Sequence, residues 1–538
     1  MNAQLEREAQ MAAAAIERGD LDGGIRMADA ILKRHPDEPN ALMVKALAAL
    51  RRSDFAGAQP LLRRAVEAHP EHVYAWNNLG IVERRLGNLD AARQAFSEAI
   101  RIYPAFGAAL RNCGNLLVDM GERNLAIDHF QAAHIAEPKS AEPLAALASI
   151  ALSANKLEDA RAFANLALER DPGHFNAGLM VARADLQSDA HAAAKTRLEE
   201  MARRPGLSGR NRALVHGLLG QALDAMGDHD AAYNAFEAAN AALVPLAMSY
   251  AQGGHVIDTD HLTKLAKALD APFPATARVQ TDGLPPDPVF LVGFPRSGTT
   301  LLDQILASHP DIATLEEVDN LGHVTGKLLE GADVLARIAA LTSADIDAMR
   351  KNYWERVRSN RRHDATRPVF IDKLPMNATL LAAVAAIFPQ ARVIFALRDP
   401  RDAVLSCFQQ TFEMTGATIH FLSLSTAAQL YDATMQLMRV HENHLPIPVK
   451  RVRYEDVTAR FDRTIADVLG FLGLAWSENV RNFTETARSR PIGTPSAPQV
   501  MRPLYSTSAG KWRNYAKPLR ETRKLLDPWA EAFGYPVD

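Results

Sequence analysis

Five prolines, Pro36, Pro70, Pro104, Pro138 and Pro172, stand 34 residues apart. Proline makes up only 30 of the 538 residues, so four equal intervals in succession mark a repeat and not a coincidence. A unit of this length fits two helices and a turn, and such units stack into a solenoid because one alone cannot bury its apolar face. Proline cannot continue an interior hydrogen-bond ladder, so each of the five ends one helix and starts the turn to the next. Small residues keep the same phase, as close approach of paired helices requires. Ala46, Gly80, Gly114, Ala148 and Ala182 form one row, and Gly24, Ala58, Ala92, Ala126 and Ala160 form another. Gly87 and Gly121 are expected to close helices at the start of short turns.

The stretch 76–80, WNNLG, resembles the tetratricopeptide signature W-x-x-L-G. The resemblance covers about residues 3–245, with a looser unit at 208–245 holding Leu219, Gly220, Ala231 and Phe236. Around 189–208 the spacing slips, with Pro205 only 33 residues after Pro172. The resemblance implies an α solenoid whose concave groove holds a peptide or protein segment. A plain structural stack and a homodimer surface are the other uses of such an array, since fold alone does not fix function.

The chain is too long for one core. We expect the repeat array over 1–245, a helical and Pro-rich linker over 246–287, and a second domain over 288–538. The net charge of −3 argues against a chain built to coat nucleic acid. Locally, 481–524 holds ten basic residues against Glu485 and Glu521, an excess that suits a polyanionic ligand or a solvated face. Two cysteines, Cys113 and Cys407, make neither a disulfide framework nor a cysteine-rich zinc site. The first residues are charged throughout and lack the apolar core of a signal peptide. No run of about 18 apolar residues offers a transmembrane helix. The expectation is a reduced cytoplasmic protein.

After the linker comes VFLVGFPRSGTTLLDQILASHPDI. Val289–Val292 reads as a buried strand, 293–300 as a tight loop, and Thr299 onward as a helix with Leu301, Leu302, Ile305 and Leu306 on its apolar face. Strand, glycine loop and helix aim backbone N–H groups at a phosphate. The spacing Gly293-x-x-x-x-Gly298 matches the nucleotide-triphosphatase loop, but Thr299 stands where that loop needs lysine. Arg296 lies inside the loop instead, and its fork can hold two oxygens of a sulfonate or phosphate.

FPRSGTT looks like the 5′-phosphosulfate loop of sulfotransferases, and PRSGTT resembles the tyrosylprotein version more than the cytosolic small-molecule one. The resemblance covers about 288–515. It implies an α/β domain with a parallel sheet, and 3′-phosphoadenosine 5′-phosphosulfate (PAPS) as sulfonate donor with no metal. It assigns the donor loop to Pro295, Arg296, Ser297, Gly298, Thr299 and Thr300. In ATLEEVDN it makes Glu317 the base that takes the acceptor proton, with Glu316 the rival. In VFIDKLPMN it makes Lys373, at a strand end, the cation that neutralises charge on the departing oxygen. In ARVIFALRDPRDAVLSCFQQ, Val393–Leu397 reads as a core strand that Arg398 ends, and Asp402 as the opening of the following helix; the resemblance gives Arg398 and Ser406 the 3′-phosphate, with Arg401 making surface contacts. The resemblance places Tyr454, after a fourth strand in VKRVRYED, at a cofactor position.

The tail TPSAPQVMRPLYSTSAGKWRNY resembles the basic loop over the cofactor, with Ser496 near the bridging oxygen and Arg502, Lys511 and Trp512 as donor contacts. His309 reads as a helix-end residue. Arg296, Glu317, Lys373 and Ser496 are thus the expected catalytic set. The implied reaction is in-line displacement onto an acceptor hydroxyl, with protein tyrosine, glycan, lipid and small phenol all open. The alternatives are a repeat scaffold over an inactive domain, and a nucleotide kinase, against which Thr299 speaks.

Overall fold

A computed structural model describes residues 3–254, 256–276, 285–325, 327–360, 364, 366–485 and 509–537. The chain divides into two compact units, residues 1–197 and 198–538.

The first unit is a run of paired helices. The second helices of successive pairs are Leu21–Arg34, Phe55–Ala68, Leu89–Ile102, Arg123–Ala136 and Leu157–Arg170. Each ends two residues before one of the periodic prolines, so those prolines do terminate helices. Asp20 and Asp54 open the first two of these helices, accepting from the N–H groups of Gly23 and Gly57 at 2.8 Å each. The small rows have a packing cause. A Cβ on Gly80 would come 2.5 Å from the Phe96 ring, and one on Gly114 would come 2.8 Å from Phe130. Both phenylalanines are buried, and each fills the space its glycine leaves.

The second unit opens with a helical hairpin, Gly209–Ala225 and His229–Gly253, which keeps the same pairing of Gly220 under Phe236. The helix Thr259–Leu269 follows. Five strands then form a parallel sheet in the order β2-β3-β1-β4-β5. They are β1 (Val289–Gly293), β2 (Ile312–Glu316), β3 (Val369–Lys373), β4 (Arg392–Leu397) and β5 (Val449–Arg453). Leu291, Ile371 and Ile394 from the inner strands meet Leu302, Ile305 and Leu306 of the loop helix in one apolar core. β1 is buried at every residue, as a central parallel strand with helices on both faces must be.

Residues 312–316, in the segment expected to carry the glutamates, form the edge strand β2. The hairpin 209–253 is built into the second unit. Asn240 Nδ2 donates to the Phe408 carbonyl at 2.9 Å, and Tyr233 stacks on the Phe408 ring at 5.4 Å.

Candidate active site

In a parallel sheet all the carboxyl ends point one way, and ligands gather there. Each strand delivers one expected residue to that edge. Arg296 lies in the loop after β1, Glu317 directly follows β2, Lys373 ends β3, Arg398 follows β4 and Tyr454 follows β5.

The loop after β1 turns sharply enough for the Ser297 N–H to donate to the Phe294 carbonyl at 3.1 Å. Arg296 and Gly298 both adopt left-handed backbone, with φ of 68° and 90°. The curl presents successive N–H groups to the start of helix Thr299–Ala307, an arrangement that binds oxyanions. Glycine is required at 298 twice over. Beside the φ, a Cβ there would stand 2.9 Å from Tyr454 Cδ2. Ser297, Thr299 and Thr300 are buried beneath the curl.

The helix Pro400–Phe408 braces this loop. Arg296 Nε donates to Ser406 Oγ at 3.0 Å, Cys407 Sγ to the Pro295 carbonyl at 3.3 Å, and Arg398 Nη1 to the Arg296 carbonyl at 3.2 Å. The Arg398 guanidinium lies 5.2 Å from the centre of the Tyr454 ring. Four expected residues, Arg296, Arg398, Ser406 and Tyr454, therefore meet at one place.

A second cluster forms where β2 and β3 end. Their register sets Glu316 opposite Lys373, and the Glu317 N–H continues the ladder by donating to the Lys373 carbonyl at 2.8 Å. Lys373 Nζ then reaches Glu316 Oε1 at 3.1 Å and Glu317 Oε1 at 3.0 Å. The ammonium is wholly buried, Glu316 is 11% exposed and Glu317 is 40% exposed. Burial disfavours the charged lysine, but Glu316, Asp303 and Glu317 outweigh it and hold its pKa above the ordinary value. Burial also raises the Glu316 carboxyl, against the pull of Lys373. Glu317 has a φ of 52°, so it and Arg296 are the non-glycine residues of the second unit with left-handed backbone among the described residues.

Residues 288–478 match the model of the sulfotransferase family. Residues 10–58, 44–105, 114–175 and 213–241 match tetratricopeptide repeat models. The chain carries a sulfotransferase-family domain behind tetratricopeptide repeats. An "uncharacterized protein" of Aquifex aeolicus is 27% identical over 355 residues, 62% of this chain and 45% of that one. "Protein-tyrosine sulfotransferase" of Drosophila melanogaster is 25% identical over 238 residues, 42% of this chain and 46% of that one. "Protein-tyrosine sulfotransferase 1" of Danio rerio is 24% identical over 241 residues, 42% of this chain and 65% of that one. The chain thus spans about half the length of the first two of these relatives.

In the sulfotransferase domain the remaining expected residues fall differently. Ser496 and Arg502 lie outside the described residues. Lys511 is turned to a carboxylate of the helical hairpin, with Nζ 2.5 Å from Asp224 Oδ2. Trp512 is 2% exposed, its ring flanked by the guanidinium groups of Arg401, Arg513 and Arg523 at 4.0, 4.8 and 5.1 Å. Arg401 is not a surface residue. It is fully buried, and its fork meets Asp399 at 2.9 and 2.7 Å. Asp399, not Asp402, caps the helix, accepting from the Arg401 N–H at 3.0 Å. Asp402 instead accepts from the N–H groups of Gly510 and Trp512 at 2.6 and 2.8 Å. His309 is structural, its Nε2 lying 3.0 Å from the Ala475 carbonyl.

Sequence reasoning missed Asp303, which is buried on the loop helix and adds negative charge near Lys373. A lone aspartate among apolar residues of that helix was the available signal. Asp224 left no such signal, because Lys511 and Tyr515, which it holds, are 287 and 291 positions away in sequence.

Chemically, one part of the site offers an anion cradle with two arginines. The other offers a buried ammonium between two carboxylates, one of them open to solvent. No helix among the described residues is long and apolar enough to cross a membrane.

Proposed function

We propose that the chain transfers a sulfonate from PAPS to an acceptor hydroxyl, with Glu317 as the base. The observation that carries this reading is the Glu316–Lys373–Glu317 cluster at the same sheet edge as the Arg296–Ser406 cradle. Support comes also from the match to the sulfotransferase family.

The residues fit such a donor. The loop 295–300 has the curl and the buried hydroxyls for a 5′-phosphosulfate, and Arg296 adds a fork. Arg398 and Ser406 supply the donors for a 3′-phosphate, and Tyr454 gives an aromatic wall beside them. Bound there, PAPS supplies an activated sulfonate on a phosphate leaving group.

The chain's own groups do the rest. Glu317, the more exposed of the two carboxylates, accepts the acceptor's hydroxyl proton on a side-chain oxygen. Lys373 keeps its proton, since its pKa is raised, and so acts as a fixed positive charge and not as a base. Glu316 stays buried behind it and holds the ammonium in place. A protein tyrosine is the acceptor we favour, because the Drosophila and Danio relatives are named protein-tyrosine sulfotransferases. The repeats, whose class offers a concave surface for extended segments, are the part we assign to holding it.

Radiolabelled PAPS, incubated with the full chain and tyrosine-containing peptides, tests the reading. Label on tyrosine oxygen, lost in Lys373→Met, supports it. Turnover of ATP in place of PAPS, with no transfer of label, would overturn it.

A further inference from the structure

The helix Pro400–Phe408, which carries Ser406, is held at both ends by residues outside the strand-and-loop core of the sulfotransferase domain. At its carboxyl end the carbonyl of Phe408 is one of the groups a helix leaves without an internal partner. Asn240, 4% exposed on the hairpin helix His229–Gly253, donates to it from Nδ2 at 2.9 Å. Tyr233 of the same helix stacks on the Phe408 ring with an interplanar angle of 20°.

At its amino end Asp402 holds the N–H groups of Gly510 and Trp512. The short helix Lys511–Tyr515 that begins there returns to the hairpin. Tyr515, 1% exposed, donates from its hydroxyl to Asp224 Oδ1 at 2.6 Å. Lys511 Nζ pairs with Asp224 Oδ2 at 2.5 Å. The Tyr515 and His229 rings meet edge to face at 5.4 Å. Both ends of the Ser406 helix are thereby tied to one hairpin, through Asn240 directly and through Asp224 by way of Lys511–Tyr515.

We infer that the hairpin 209–253 is a working part of the donor site, and that Asn240 and Asp224 are positioning residues for recognition of the 3′-phosphate. They act through the Pro400–Phe408 helix, whose Ser406 hydroxyl meets Arg296 at 3.0 Å. A helix that loses its carboxyl-end partner is free to shift along its axis, and the distance between Ser406 and Arg296 shifts with it. The 5′ side of the donor rests on the loop 295–300, which this helix also braces but which β1 and the loop's own Ser297 N–H to Phe294 carbonyl bond hold as well, whereas Ser406 is placed by the helix that carries it. The effect therefore falls on the 3′-phosphate. This inference rests on the donor reading proposed above.

The test compares the full-length chain with Asn240→Leu, which keeps the volume and removes the donor, and with Asp224→Asn, which keeps an acceptor for Tyr515 and removes the ion pair. Calorimetry gives the Kd of 3′-phosphoadenosine 5′-phosphate and of adenosine 5′-phosphate for each, and thermal unfolding shows that each is folded. We expect the wild type to prefer the bisphosphate. Each variant should lose about three- to tenfold in that preference, the worth of one hydrogen bond, with the Kd for adenosine 5′-phosphate unchanged. An unchanged preference in the folded variants overturns the inference alone, as does a parallel loss of affinity for both nucleotides. A wild type with no preference overturns the donor reading and this inference with it. Should Asn240→Leu fail to fold, Asp224→Asn, which alters a partly exposed contact, decides.

Discussion

Glu316 and Lys373 are register partners on adjacent parallel strands, and the next residue, Glu317, bonds back to the Lys373 carbonyl. Strand pairing itself therefore sets both carboxylates on one ammonium. The two are not equivalent, because the backbone turns to a φ of 52° at Glu317 and leaves that side chain at 40% exposure.

Glu317→Ala is expected to cut kcat by about 10²–10⁴ while leaving the Kd of 3′-phosphoadenosine 5′-phosphate intact. Glu316→Ala should instead act through Lys373, lowering its pKa and moving the alkaline limb of the kcat profile downward. Steady-state rates from pH 6 to 10, with calorimetry on both variants, separate the two roles. The assignment reverses if only Glu316→Ala abolishes turnover.

Arg398→Ala and Ser406→Ala should weaken the bisphosphate without magnesium present. A charge-assisted hydrogen bond is worth about 1.5–3 kcal/mol, or roughly ten- to hundredfold in affinity. The loss should be larger for Arg398, which also gives up its place over Tyr454. Equal effects on adenosine 5′-phosphate would remove both residues from the 3′ position.

Asp372 is fully buried, and that burial raises its carboxyl from 3.8 to about 6 although Asn320 and Tyr353 both donate to Oδ2. The folded chain therefore binds a proton that the unfolded chain has released, and stability falls as pH rises from about 4 to about 7. Asp372→Asn keeps an acceptor for both donors and removes the buried charge. We expect it to gain up to about 3 kcal/mol at pH 8 and nothing at pH 4. Asp402 has the same sign, raised by burial to about 6, so the decline with pH shrinks but persists. Denaturant unfolding at pH 4, 6 and 8 checks this, and a variant less stable at pH 8 contradicts it.

A chain beginning at residue 198 should fold and bind the bisphosphate, because the second compact unit starts there. One beginning near 270 lacks Asp224, Tyr233 and Asn240, and exposes the buried faces of Phe408 and Tyr515. We expect it to be markedly less stable or insoluble. Equal melting temperatures for the two fragments would show the hairpin to be dispensable.

Much of this molecule was legible in the sequence, for reasons particular residues make plain. The periodic prolines stop helices through a missing amide hydrogen, a purely local effect, and all five helices end where they should. The loop Gly293–Gly298 and the strand-end positions of Lys373 and Arg398 were readable because glycine turns and apolar runs are also local. β2 escaped because Ile312–Glu316 is short, lies at an edge and keeps no clear alternation. Arg401 escaped for a different reason. A charge reads as surface unless its partners are known, and Asp527 and the Pro536 carbonyl lie more than a hundred positions away. The ties of Asp224 and Asn240 are likewise long-range, and no local pattern announces them.

The left-handed backbone at Arg296 and Glu317 carries one more consequence. A side chain in that conformation costs roughly 1–2 kcal/mol that glycine would not incur. A directed-evolution campaign scored on heat resistance alone would therefore be drawn toward glycine at these two positions. The variants it enriched would survive the oven and have lost a guanidinium and a carboxylate. Any engineering of this chain has to screen turnover beside melting temperature from the first round.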